Sequence, residues 1–406
     1  MVRIAFLGLG AMGLPMARNL SRHPQIDVVV YDVSSERLAR GAAFAETAES
    51  VKEAIQDADA IFSVVPADVH VQAVAADVAE YGRPGQIYAD FSTISPSTIA
   101  AVAARLSERE IETVSLALTR STAAAEAGEL VLFSSQIPES IRSWFESALE
   151  MMSIEVRTVS GLGGPKAIKL ANNMVIACID VGVIEVLVLA EAVGLSAPDV
   201  TRGIKEGGAN SWAIVNHIEK YVLPDDLGPG RFSTAYMAKD VDLFSAMALE
   251  YGVPAVLAGL VSAQYRGTVA HGLGDHYHMI VKRWQEWAAN RTAAEKPADR
   301  GIGETTVVDL ARSVAGVHLL ASEDALAAAH AWGVPREEAI DHLLGGSAGN
   351  EYLESLVPGG DSTHPPLESI LASLDELAGL SERLSVPSIL LEASRRLLRT
   401  APIGDA

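Results

Sequence analysis

Residues 8–13 read Gly8-Leu9-Gly10-Ala11-Met12-Gly13. The apolar run Ile4-Ala5-Phe6-Leu7 precedes them, and a helical pattern, Leu14 to Leu20, follows. Strand, glycine turn and helix start in this order make the fingerprint of a dinucleotide-binding βαβ unit. Gly8 permits a tight turn, Gly10 leaves room for a pyrophosphate, and Gly13 lets the helix pack closely on the strand. The helix N-terminus then offers N–H groups and a positive dipole end to phosphate. All six residues, Leu9, Ala11 and Met12 included, are expected at the cofactor.

Outward from this turn, apolar and helical segments alternate. Asp27–Tyr31, Ala60–Val65, Gln86–Asp90 and Ile111–Val114 read as strands, while 35–40, 69–79 and 96–107 read as helices. Leu130–Ser134 and Ser153–Val156 are candidate edge strands. The alternation predicts an α/β Rossmann domain with a doubly wound, mostly parallel sheet over 1–162. Beyond the glycine-rich turn at 161–164, helical patterns dominate. They predict an all-α domain over 163–287, with helices at 166–193, 197–206, 212–220, 236–251 and 253–266. Residues 288–303 read as a linker, and 304–406 as an additional helical region.

The tail faintly echoes the first helical domain. Lys169-Leu-Ala-Asn-Asn-Met aligns with Asp309-Leu-Ala-Arg-Ser-Val. With one residue dropped, Glu185 falls on Asp324, Gly194 on Gly333 and Gly207 on Gly346. A degenerate repeat and two alanine-rich stretches of similar period both account for this.

The chain has 406 residues, 49% of them apolar, and a formal net charge of −21. Such charge disfavours nucleic acid and anionic membranes as partners. The single cysteine, Cys178, cannot form an intrachain disulfide, and no basic, apolar leader pattern opens the sequence, so a cytoplasmic setting is expected. The apolar run Met174–Leu195 carries Asp180, Glu185 and Glu191, each costing roughly 2.5–3.5 kcal/mol near a bilayer centre. A buried helix is the better reading.

Asp32 ends the second strand, 19 residues after Gly13. An acid there hydrogen-bonds ribose hydroxyls and repels a 2′-phosphate, which favours NAD over NADP; Arg37 keeps NADP open. Val65-Pro66 and the segment Asp90–Pro96, with Thr93, follow strand ends, where ligands of open α/β sheets sit. Capping of the helix at Pro96 accounts equally well for Ser92 and Thr93. Lys169 and Asn173 are i and i+4 on a helix, so they share a face. A lysine so placed can exchange a proton with a hydroxyl or carbonyl oxygen while hydride moves to or from carbon. His271, Asp275, His276 and His278 read as a solvated turn, and no metal is expected. Cys178 and Trp212, Trp284, Trp287 and Trp332 read as packing residues.

Taken together, GLGAMGLPMARNL (8–20), Asp90–Pro96, Lys169–Asn173 and Phe232…Lys239-Asp240 resemble the 3-hydroxyacid dehydrogenase family over about residues 1–287. That family includes 3-hydroxyisobutyrate dehydrogenase, tartronate semialdehyde reductase and, distantly, 6-phosphogluconate dehydrogenase. The resemblance implies a Rossmann domain joined by a long helix to an all-helical domain, and NAD(P)-dependent oxidation of a 3-hydroxy acid. It implies Lys169 as general acid/base, Asn173 with Asn172 at the substrate, Lys239 near nicotinamide and substrate, and Phe232 walling the pocket.

Three features depart from the family pattern. Ala125-Glu126-Ala127-Gly128 is kept, but the loop before it reads Ser115-Leu116-Ala117-Leu118-Thr119-Arg120-Ser121. Thr119 keeps a hydroxyl, while Arg120 and Ser121 stand where glycines hold a carboxylate. Arg120 either clamps an anion with its planar fork or points to solvent. Pro165 replaces a glycine, and the tail is extra. The expectation is therefore an NAD-dependent 3-hydroxyacid dehydrogenase acting on a small molecule, and a homo-oligomer whose tail replaces or extends a dimer interface. A reductase of bulkier or non-carboxylate carbonyls and a non-catalytic NAD-binding assembly protein are the alternatives.

Overall fold

The computed structural model describes residues 1–290 and 307–400; most of the expected linker, from 291, lies outside the described residues. Two compact units result: Met1–Lys169 with Ala331–Pro335, and Leu170–His330 with Arg336–Ala406.

The first unit is built on one eight-stranded sheet: β1 (Val2–Leu7), β2 (Ile26–Tyr31), β3 (Glu46–Thr47), β4 (Ala60–Ser63), β5 (Ile87–Asp90), β6 (Glu112–Thr119), β7 (Leu130–Ser134) and β8 (Ser153–Thr158), in the order β3-β2-β1-β4-β5-β6-β7-β8. Neighbours are parallel except β6 and β7. β1 and β4 are buried almost throughout because helices cover both faces, which explains their unbroken apolar runs. One face packs Phe62 between Phe6, Phe91 and Phe145, with ring centroids 6.4, 5.3 and 5.4 Å away. Burying a phenylalanine side chain of this kind stabilises by roughly 1.5–3 kcal/mol. Order reverses between β1 and β4, which makes their carboxyl ends the topological switch point where such sheets bind ligands. A short return of the tail completes this unit: Trp332 lies against Gly163, and Val334 against Gly164.

The expected strands are present; β3 is unexpected, β4 ends at Ser63 and not Val65, β8 runs on to Thr158, and β6 is extended furthest. The sequence pattern ends a strand at Val114, yet β6 continues to Thr119, because β7 returns antiparallel and pairs Leu116 with Ser134 through Thr119 with Val131. Three short helices carry too few turns to show a period: Val51–Gln56, Thr122–Ala127 and Arg142–Glu150.

The second unit is helical. Its central element is the helix Gly164–Ala192, whose residues from 170 to 190 are all buried. It is the one described helix long and apolar enough to cross a membrane, and here it is buried within protein. The tail covers it directly: Val317 sits 3.1 Å from the Cβ position of Gly182. Glu185 accepts hydrogen bonds from the N–H groups of Leu390 and Leu391 at the start of the helix Ile389–Thr400. Burial pushes the Glu185 carboxyl up to about 7. Apart from Ala331–Pro335, the described tail thus belongs to the same compact unit as residues 170–290. The pattern at 212–220 is a π-helical segment, Ile214–Val222, with wider winding than an α-helix.

Contacts within this unit come in reciprocal pairs. The displacement that sets Gly207 on Gly346 also sets Asn210 on Gly349, Ser211 on Asn350 and Trp212 on Glu351. Ser211 and Asn350 form an antiparallel bridge with each other. Trp212 N donates to Gly349 O at 3.0 Å, and Glu351 N to Asn210 O at 3.2 Å. Equivalent positions that meet themselves and each other are the mark of a local two-fold axis.

Candidate active site

At the glycine turn, each glycine has a separate cause. Gly8 has φ +97°, and a Cβ there would lie 2.2 Å from the carbonyl oxygen of Val64. A Cβ on Gly13 would lie 2.0 Å from Gly8 O, so strand and helix could not approach as they do. At Gly10 no protein atom lies within 4 Å of the Cβ position. The chain needs glycine at 8 and 13 for itself, whereas the space at 10 is left for something outside the chain, as a pyrophosphate cradle requires. No side chain caps the helix Gly13–Leu20 at Met12, which leaves its N-terminal turn to an anion. The residues fit NAD.

Asp32 lies beside this turn and is 7% exposed. Its Oδ2 accepts from Leu9 N at 2.7 Å and its Oδ1 from Ser34 N at 2.8 Å. It therefore braces the turn, and Arg37 stands 3.8 Å from it. Val65 and Pro66 follow β4, and Val65 N donates to Ser92 Oγ at 2.9 Å. Ser92 ties the two strand-end segments together, while helix capping falls to Ser95, which accepts from Thr98 N. Thr93 sits half-buried in the same segment.

Two lysines three residues apart differ in exposure. Lys166 is buried, and its Nζ donates to Asp90 O, Asp90 Oδ1, Ser92 O and Leu116 O at 3.0, 2.8, 2.7 and 2.5 Å. Asp90 also accepts from Ser63 Oγ and Ser92. With its three donors engaged, Lys166 fastens the ends of β5 and β6 and has no capacity for proton exchange. Nothing in the sequence marked it, since its partners lie 50 to 76 residues away. Lys169, one turn on, is partly exposed.

Asn173, one turn beyond Lys169 on the helix, donates to Asp240 Oδ2 at 2.6 Å, and Lys239 Nζ lies 2.8 Å from Asp240 Oδ1. Asp240 thereby orients both. Asn172 is engaged elsewhere: its Oδ1 accepts from Ala348 N at 3.0 Å, and its Nδ2 donates to Ser347 Oγ at 3.0 Å. Its amide holds the tail turn at 346–348. Phe232 is 40% exposed, stacks on Tyr236, and meets the edge of His278.

Thr119 closes β6 and is buried. Arg120 is exposed with φ +83°, so it keeps the left-handed backbone that a glycine would adopt freely. Ser121 caps the helix Thr122–Ala127 by accepting from Ala124 N.

The structure also assembles a group that the sequence kept apart. Asp180, His217 and His278 are all buried and converge. His217 Nδ1 lies 2.9 Å from Asp180 Oδ2, and His278 Nδ1 lies 3.7 Å from the same oxygen. Burial raises the Asp180 carboxyl and holds His278 well below its ordinary value. Among the histidines of the 271–278 turn, only His278 joins this cluster; His271 packs against Trp284 and Trp287.

Comparison with known proteins agrees with this geometry. Residues 3–161 match the NAD-binding domain of 6-phosphogluconate dehydrogenase, and residues 163–284 match the NAD-binding domain of NADP-dependent 3-hydroxyisobutyrate dehydrogenase. A 2-(hydroxymethyl)glutarate dehydrogenase of Eubacterium barkeri is 27% identical over 290 residues, 70% of this chain and 95% of that one. A probable 3-hydroxyisobutyrate dehydrogenase of Mycobacterium bovis is 30% identical over 250 residues, 60% of this chain and 84% of that one. The structure of the Mycobacterium tuberculosis 3-hydroxyisobutyrate dehydrogenase with L-serine aligns with TM-score 0.65 and 29% identity, covering 70% of this chain and 98% of that one. With the glycine turn, the Lys169–Asn173 helix and Lys239-Asp240 in the matched regions, the chain belongs to the 3-hydroxyacid dehydrogenase family, NAD-dependent enzymes acting on a CH–OH group.

Proposed function

We propose that this chain oxidises a 3-hydroxy acid reversibly, with Lys169 as the general acid/base. The observation that carries this is the placement of the partly exposed Lys169 one helical turn before Asn173, which Asp240 orients. NAD, when bound on the glycine turn, supplies the hydride acceptor at nicotinamide C4. In the oxidation, neutral Lys169 takes the hydroxyl proton while the carbinol C–H bond breaks; in the reduction, its ammonium returns the proton to the new alkoxide oxygen. Asn173 holds that oxygen, and Lys239 supports the charge beside it. Asp32 favours NAD over NADP by meeting the ribose hydroxyls and repelling a 2′-phosphate. Lys169→Ala lowers kcat by about 10²–10⁴-fold, the range for a positioned acid/base, while NADH fluorescence titration shows cofactor binding retained. Near-normal turnover by Lys169→Ala overturns the mechanism.

The substrate proposal centres on Arg120. Its guanidinium, presented from a left-handed backbone at the end of β6, suits a carboxylate better than an uncharged carbonyl compound. A panel of 3-hydroxyisobutyrate, L-serine and 2-(hydroxymethyl)glutarate, with uncharged aldehydes alongside, tests it. Turnover confined to the uncharged compounds favours the alternative reductase.

We also propose that the tail takes the place a second subunit's helical region would hold. The reciprocal pairing of 210–212 with 349–351 supports this reading. Light scattering at micromolar concentration is expected to give the single-chain mass of 42.8 kDa; a stable dimer overturns it.

A further inference from the structure

The buried cluster in the helical unit has no part in the proposed hydride chemistry. Asp180 comes from the long helix, His217 from the π-helical segment Ile214–Val222 and His278 from the short turn His278–Ile280. One ligand atom from each lies within 4.8 Å of the others. Among the described residues, the fully buried Asp180 carboxylate accepts hydrogen bonds from His217 alone, although its two oxygens offer about four acceptor sites. His278, 2% exposed, has no hydrogen-bond partner at Nδ1, and that atom is aimed at Asp180 Oδ2 from 3.7 Å. The buried hydroxyl of Tyr265, whose ring meets the edge of His278, is also without a partner. Orphaned buried polar atoms of this density call for a ligand.

We propose that Asp180, His217 and His278 bind one divalent transition-metal ion, with zinc as the type. Two imidazoles and a carboxylate are the donor set such ions take, with a fourth position open to water. Tetrahedral coordination with bonds of about 2.0–2.2 Å places donor atoms about 3.3 Å apart. The separations of 2.9 and 3.7 Å straddle that value, so small side-chain rotations suffice. The ion replaces the proton shared by His217 and Asp180 and gives His278 its missing partner. His217 retains 9% exposure, which provides an approach. The ion would tie three segments together beneath Phe232, whose ring leans on His278.

The test uses the full-length protein, stripped with a chelator and titrated with zinc chloride. One zinc per chain is expected to survive desalting, with proton release into a weak buffer and a raised Tm. Cobalt(II) is expected to give d–d absorption bands of an N,O-ligated site. Asp180→Asn and His278→Phe each lose the retained ion and the bands, while His271→Ala keeps both. NADH titration confirms that the variants are folded; should His278→Phe fail to fold, His217→Gln decides in its place. No retained zinc in the wild type, or retention unchanged in these cluster variants, overturns the proposal.

Discussion

The turn after β1 and the turn after β6 ask the backbone for the same thing and are filled differently. Both need a residue with positive φ, +97° at position 8 and +83° at position 120. Position 8 has glycine and position 120 arginine. The difference lies in space. At Gly8 a Cβ collides with the main chain of Val64, so no side chain is admissible. At Arg120 the side chain runs outward, and the only cost is torsional, about 1–2 kcal/mol for a left-handed L-residue. The strain is therefore tolerated at 120, as positive φ is at Ala255 and Ser385, while position 8 excludes every side chain.

The comparison can be broken at four places. Gly8→Ala has the largest expected effect: overpacking against backbone plus the left-handed penalty sum to about 2–5 kcal/mol, read as lost stability in urea unfolding. Asp32→Ser removes the charged acceptor of Leu9 N, costing about 1.5–3 kcal/mol, and moves the NADH/NADPH preference towards NADPH in steady-state assays. Gly10→Ala leaves stability within about 0.5 kcal/mol, because nothing lies near its Cβ. It weakens NADH binding about tenfold or more, equivalent to about 1.4 kcal/mol. A fall in stability without a fall in affinity would show that the space at Gly10 serves the chain and not the cofactor. Arg120→Gly has a small effect on folding. Relief of about 1–2 kcal/mol of strain is offset by about 0.4–1 kcal/mol of unfolded-chain entropy, so stability rises by at most about 1.6 kcal/mol, while KM for a carboxylate substrate rises. An unchanged KM removes Arg120 from the site.

What was legible in the sequence follows the range of the interactions. The glycine turn, β1, β2 and the helices at 96–107 and 197–206 carry their signals locally, in periodicity and in turn or capping residues, and the structure has them in place. The strand extension to Thr119 was not legible, because its cause is the antiparallel return of β7. Lys166 was anonymous for the same reason: a helix-start lysine becomes a fastening only when Asp90 and Leu116 come beside it. Asn172 is a further case: the tail turn at 346–348 engages its amide, a partner about 175 residues away that no local signal marks. Asp180, His217 and His278 are separated by whole helices, and only folding brings them together.

The local two-fold axis has a consequence for how this chain can change. In a symmetric pair of identical subunits, a substitution on the axis is made twice and must be compatible with itself. Here the residues that meet across the axis are encoded separately, and they differ: Ser211 faces Asn350, and Trp212 pairs where the other segment has Glu351. One half can therefore improve its fit to the other without carrying the same residue. Asn350 illustrates the freedom, since its side chain accepts from Tyr352 N and Leu353 N and caps its own helix, a duty Ser211 meets only through a 3.4 Å contact to Ile214 N. At the tail positions aligned with Lys169 and Asn173 stand Asp309 and Ser313, which differ from both.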